Sequence, residues 1–221
     1  MKRKFLWNLL LVVVLNLLIK PFYILGIDAE VINRVGPSIY GNYFALINFS
    51  FLLNIILDLG ITNYNVKNIA QHHHLLEKHF AGIITLRLCL VLIYLTATFL
   101  IAFFIGYESL QFKLLLILAL NQALVAFILY IRSNFAGLHL FVQDSIISVL
   151  DRVLLIIICS ILLWGGNSNT PFQIEWFVYA QSVSYLITLL ICLFLIFKQN
   201  NNLTFKWSPA FSIVILKRSF P

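Results

Sequence analysis

FSFLLNIILDLG, residues 49–60, is apolar enough to lie in lipid yet carries Ser50, Asn54 and Asp58 at intervals of four. On an α-helix that interval stacks the three side chains on one face. Hydrocarbon offers an unpaired polar group no partner, so the face must look at another helix or at a water-filled space. What it touches is the question the rest of the chain has to answer.

The neighbouring sequence is of the same kind. With 62% hydrophobic and 10% charged residues, the chain lies far from the globular mix of about half apolar and a quarter charged. It is a membrane protein. Stretches free of Asp, Glu, Lys and Arg cover 5–19, 35–57, 88–107, 114–131, 153–174 and 176–197, and about 20 such residues span the hydrocarbon as a helix. Six spans are predicted, near 5–27, 40–61, 81–106, 112–138, 146–165 and 175–197, the first completed through Lys20. A β-barrel is excluded, because its strands alternate polar and apolar residues and these runs are apolar all round. The fold class is therefore all-α, a polytopic six-helix bundle over 1–198, with 199–221 as a cytoplasmic connector. The basic start Lys2, Arg3, Lys4 resembles that of a signal peptide, but no small-residue cleavage pattern follows, so the first segment reads as a retained span.

A net charge of +7 would suggest nucleic acid as partner of a soluble protein; here the position of each charge matters more. With the N-terminus in the cytoplasm, twelve basic residues fall inside and three, Lys20, Arg34 and Lys113, outside. That asymmetry supports the orientation. No nucleic-acid partner is expected. Cys89, Cys159 and Cys192 lie within predicted spans without metal-ligand spacing and read as small apolar fillers.

Gly36 and Pro37 turn the chain in an external connector over 28–39, and a cytoplasmic connector over 62–78 has room for a short surface helix. An apolar pattern resumes in AFSIVILKRSFP just as the chain stops at Pro221, which reads as the threshold of a further helix and predicts a fragment of a longer protein.

Each span carries a polar stripe: Asn16 and Lys20; Ser50, Asn54 and Asp58; Arg87, Tyr94 and Thr98; Asn121, Arg132 and His139; Ser145, Ser148 and Arg152; Gln181, Tyr185, Thr188 and Cys192. For uncharged stripes, hydrogen bonding between helices is the favoured reading. Charges are different, since one at the bilayer centre costs about 2.5–3.5 kcal/mol on insertion scales and marks a pathway or a pair. For Asp58 and Arg87 the favoured reading is exposure at the inner interface. Lys20 either snorkels to the outer surface or lines a cavity. Arg132 and the Asp151–Arg152 pair are the remaining candidates, either for a pathway or as partners of one another. The triplet His72, His73, His74 with His79 invites a metal, but adjacent helical histidines diverge and no Cys pair or HExxH motif accompanies them, so a solvated loop is favoured. No nucleophile elbow or phosphate loop appears.

NLLIKPFYILGID, GPSIYGNYFALINFSFLLNIILDLGITNYNVKNIAQ, ILYIRSNFAGLHLFVQDSIISVLDR and FQIEWFVYAQ together resemble the oligosaccharide flippases of the O-antigen translocase type, often labelled polysaccharide biosynthesis proteins. These belong to the multidrug, oligosaccharidyl-lipid and polysaccharide exporter superfamily. The resemblance runs from about residue 4 to residue 221, with a Gly-Tyr-Gly-type start to the second span and an Asp-Leu-Gly exit from it. It implies the first of two six-helix bundles around a central cleft. It also implies movement of undecaprenyl-diphosphate-linked oligosaccharide between leaflets by alternating access.

Helices one and two face the cleft in that family. The resemblance thus makes Asn16, Lys20, Ser50, Asn54 and Asp58 first-choice lining residues and Arg132 and Arg152 second-choice diphosphate partners. It implies no catalytic residue, no metal and no cofactor, with a proton or sodium gradient as candidate energy source. Expected partners are the lipid-linked oligosaccharide, membrane lipids, and a polysaccharide polymerase with its glycosyltransferases. Rival readings are a drug exporter of the same superfamily, a membrane-embedded transferase, and a non-transporting interaction subunit.

Overall fold

In the computed structural model the described residues are 13–14, 16–73, 75–165, 171–199, 215–217 and 219. They are helical with no strand among them. A first helix runs from residue 16 through a π-helical stretch, Tyr23–Asp28, into α1 (Ala29–Val35). Then follow α2 (Pro37–Leu52), α3 (Ile55–Asp58), α4 (Ile61–Gln71), α5 (Leu75–Ile105), α6 (Ser109–Gly137), α7 (Phe141–Trp164) and α8 (Ile174–Gln199).

Among the described residues five segments are long and apolar enough to cross a membrane: Pro37–Gln71, His79–Ile105, Ser109–Gly137, Phe141–Trp164 and Ile174–Gln199. The predicted first span lies partly outside the described residues.

The external connector is the clearest correction. Residues 28–39 form no loop: Ala29–Val35 is helix, and the chain turns at Gly36 alone. Gly36 has φ 87°, a conformation glycine adopts without steric cost, and Pro37 at the first helical position is pre-set for α2. Tyr23, Ile27 and Val31, four residues apart, are the buried stripe of this longer helix.

Below the turn, α2 runs to Leu52 and then breaks. Asn54 and Leu57 bond to carbonyls three residues back, and Leu59 (φ 44°) and Gly60 (φ 79°) take the left-handed conformation before α4 begins. A left-handed non-glycine costs about 1–2 kcal/mol, so tertiary contacts must hold Leu59 in place. The short surface helix expected over 62–78 is present as α4.

α6 is the central rod. Half of its span is buried, against 22% for Pro37–Gln71 and for His79–Ile105, and it contributes to every apolar cluster of the core. Its small residues Ala119, Ala123, Ala126 and Gly137 let neighbours approach. A Cβ on Gly137 would lie 2.8 Å from Ile69 Cβ, which sets how closely α4 lies against the end of α6. The outside of the bundle carries exposed Leu18, Leu25, Leu52, Phe103, Phe104 and Phe194, the surface that lipid would cover.

Candidate functional site

The face that opened the sequence reading turns to α5. Ser50 is 0% exposed; its hydroxyl donates to Ile47 O (2.8 Å) and its carbonyl accepts from Tyr94 OH (2.9 Å). Asp58 meets Arg87, seven residues before Tyr94 on the same side of α5. The break at Leu53–Asn54 keeps the three polar residues from forming one unbroken stripe. Asn54 is half-buried within that break.

Arg87 is not exposed at the interface, as its sequence position suggested, but 1% exposed inside the bundle. Its Nη2 donates to Asp58 Oδ1 (2.5 Å) and Thr62 Oγ1 (2.7 Å), and its Nη1 to Ala126 O (2.9 Å) and, at 3.4 Å, Leu57 O. The guanidinium lies 5.3 Å from the Tyr130 ring centroid. Asp58 also accepts from the Thr62 backbone N–H (3.1 Å) and hydroxyl. A lysine could not serve so many acceptors from one planar head. This cluster joins α3, α4, α5 and α6 where the chain passes through Leu59 and Gly60, and it holds that strained turn.

Four of the seven predicted site residues meet elsewhere. Asn16 and Lys20 of the first helix, Arg132 of α6, and Asp144, Ser145, Ser148, Asp151 and Arg152 of α7 line one pocket of about 330 Å³, within the range of small-ligand sites. Arg132 Nε donates to Asp144 Oδ1 (2.7 Å). Arg152 Nε stands 3.7 Å from Asp151 Oδ2, and its guanidinium lies 5.1 Å from the Tyr23 ring centroid. Lys20 is exposed to the pocket and forms no ion pair among the described residues. Three cations against two carboxylates leave the lining net positive.

Depth matters for such a lining. Arg132 is five residues from the end of α6 and Arg152 eleven from the start of α7, so at 1.5 Å per residue the pocket reaches about 8–16 Å into the bundle. Lys20 does not sit near the opposite end, as a first span ending at residue 27 implied. The helix continues to Val35, about 22 Å further on.

Two acids escaped the sequence reading. Asp144 extends the α7 stripe one turn back from Ser148, a signal that the spacing carried. Asp28 was assigned to a loop; it closes the π-helical stretch, and its Oδ1 is buried with no hydrogen-bond partner among the described residues. The signal for it was the Tyr23, Ile27, Val31 spacing. π-Helical turns of this kind recur at functional sites.

Of the uncharged stripe residues, Tyr94 and Gln181 reach other helices, whereas Thr98, Ser145, Ser148 and Thr188 donate to carbonyls of their own helices. Gln181 Nε2 donates to Tyr43 OH (2.7 Å), and Asn65 Nδ2 to Ser133 Oγ (2.7 Å) and Asn134 Oδ1 (2.9 Å). His73 stacks edge-on with His139, and His79 contacts Asn68. No group of three or more His, Cys, Asp or Glu suited to a metal occurs among the described residues. His74 lies outside them.

Comparison with known families finds a match to the model described as polysaccharide biosynthesis protein, over residues 4–221. No curated protein and no solved structure matches.

Proposed function

The chain belongs to the polysaccharide biosynthesis protein family, and from that premise we propose that it serves to carry a polyprenyl-diphosphate-linked oligosaccharide across the bacterial inner membrane, by alternating access. The observation that carries the proposal is the convergence of Lys20, Arg132 and Arg152, from three helices, on one pocket within the bundle.

A diphosphate cannot enter hydrocarbon without replacing its water by donors and positive charge. Arg132 spends Nε on Asp144, and the Arg152 contact to Asp151 is long, so both guanidinium groups keep N–H donors for phosphate oxygens. The two aspartates hold the arginines in place while the site is empty and yield to a more highly charged ligand. Asn16, Ser145 and Ser148 add hydroxyl and amide groups suited to the sugar nearest the diphosphate. Ser50 and Asp58 serve the fold instead. Asp28, half-buried with its Oδ1 enclosed, is the acid best suited to couple the cycle to a proton or sodium gradient, and the polymerase and glycosyltransferases of the same assembly route are the proposed partners.

A drug exporter of the wider superfamily would want an acidic lining for cationic cargo, and three basic side chains disfavour it. The test is replacement of Lys20, Arg132 and Arg152 by Ala in the chromosomal copy, reading surface polysaccharide at matched protein level. Loss in each variant is expected. Wild-type polysaccharide in all three would refute the assignment.

A further inference from the structure

A second pocket, of about 650 Å³, opens at the other end of the bundle. It is bounded by the end of α1, the start of α2, the start of α6 and the approach to α8. Its composition is graded with depth. Arg34, Gln111, Lys113, Gln173 and Glu175 lie at the level of the helix ends. Leu46, nine residues into α2, and Ile117, eight into α6, lie about 12–14 Å deeper. The level of the polar rim is also that of Trp164, Trp176 and Tyr179, the residue types that gather where lipid headgroups lie.

A polar rim at headgroup level above an apolar slot has the profile of a lipid standing on end. The rim charges narrow the choice. Arg34 is already paired with Glu30 at 2.8 Å. Lys113 is exposed with no ion pair among the described residues, and Glu175 stands on the same rim. One available cation and one carboxylate complement a headgroup that has one phosphate and one ammonium. A purely anionic phospholipid would meet Glu175 unfavourably, and a polyprenyl diphosphate more so.

We propose that this pocket is a binding site for an amine-bearing glycerophospholipid of the outer leaflet, with Lys113 on its phosphate, Glu175 on its ammonium and a tail along Leu46, Leu114 and Ile117. Glu175 also suits the first turn of α8, where the helix dipole favours a carboxylate. That role alone would leave Lys113 and the apolar slot without a shared purpose. The site is independent of the cytoplasmic-side pocket and of the function proposed for it.

The experiment is native mass spectrometry of the whole chain, purified in detergent and offered equimolar phosphatidylethanolamine and phosphatidylglycerol. Phosphatidylethanolamine should be retained in preference to phosphatidylglycerol. Lys113→Glu at the rim, or Leu114→Trp filling the slot, should lower that adduct about tenfold. Lys113→Glu combined with Glu175→Lys should restore part of it, and Lys20→Ala should leave it unchanged. Equal or better retention of phosphatidylglycerol, no retained lipid, or an adduct indifferent to both single variants would overturn the proposal.

Discussion

Arg87 Nη2 donates to Asp58 Oδ1 at 2.5 Å, joining α5 to the end of α3 across 29 residues of chain. Arg87 is 1% exposed and the Asp58 side chain 37%, so the cation is the partner that suffers when the pair is broken. Removing one member of a buried pair typically costs about 3–5 kcal/mol, whereas replacing both by apolar groups is often neutral. Asp58→Leu, which leaves the buried guanidinium without its anion, is therefore expected to lower stability by about 3 kcal/mol or more, and Asp58→Leu with Arg87→Leu to recover part of the loss. Thermal unfolding in detergent checks this. A double variant no more stable than Asp58→Leu would show that the two act separately.

The end of α6 depends on a missing side chain. A Cβ at Gly137 would meet Ile69 Cβ at 2.8 Å, Ile69 Cγ2 at 2.9 Å and Val66 O at 3.2 Å. Overpacking of this kind costs about 1–3 kcal/mol, against a gain of about 1 kcal/mol in helix propensity. Gly137→Ala should destabilise on balance, and Ile69→Ala should relieve the crowding in that background. Melting temperatures of the two single variants and the double variant decide it. Simple additivity would contradict the contact.

Asn65, 2% exposed, docks α4 by donating to Ser133 and Asn134 of α6. Asn65→Ala leaves the Asn134 carbonyl oxygen without this donor, a loss of about 1–3 kcal/mol. Because α4 follows the left-handed turn at Leu59 and Gly60, the loss should appear as local opening. Hydrogen exchange of the Ile61–Gln71 amides should speed up while that of α8 stays unchanged. Equal acceleration in both helices would mean that Asn65 supports the whole bundle.

On the proposed function, Asp144 competes with a phosphate for Arg132, to which it is bonded. Calorimetric titration of pyrophosphate should show affinity falling about tenfold for Arg132→Ala or Arg152→Ala and holding or rising for Asp144→Asn. Binding should also weaken as salt is raised. Weaker binding in Asp144→Asn would mean that the carboxylate positions Arg132 instead of occupying it.

Much of this was legible before any coordinates. The apolar runs announce the helices because length and composition alone decide whether a segment can lie in lipid. Ser145, Ser148 and Arg152 of α7 line the pocket together because helical spacing fixes which side chains share a face, although spacing alone favoured the two serines as packing residues. What the sequence concealed were relations between helices. Asp58 and Arg87 each look like interfacial charges when taken alone, and only the packing of α5 against α3 buries the arginine and pairs it with the half-exposed aspartate. Asp28, Gly36 and Pro37 read as loop residues, but the helix runs through Asp28 and stops at Gly36. That extension moved Lys20 from the outer end of its span into the pocket. Ser50 illustrates the limit of spacing arguments: the break at Leu53–Asn54 interrupts the expected face, and the neighbour of Ser50 is Tyr94 and not open water.

For the pocket lined by Lys20, Arg132 and Arg152 to take a diphosphate headgroup, as proposed, water must reach it. Ser148 lines that pocket, and Cys159 and Cys192 are buried, so Ser148→Cys with Cys89→Ser presents one accessible thiol among the described residues. A charged, membrane-impermeant thiol reagent applied from the cytoplasmic side should label it, and undecaprenyl diphosphate should slow the labelling severalfold. A thiol that stays unlabelled, or labels at the same rate with and without the diphosphate lipid, would contradict the account.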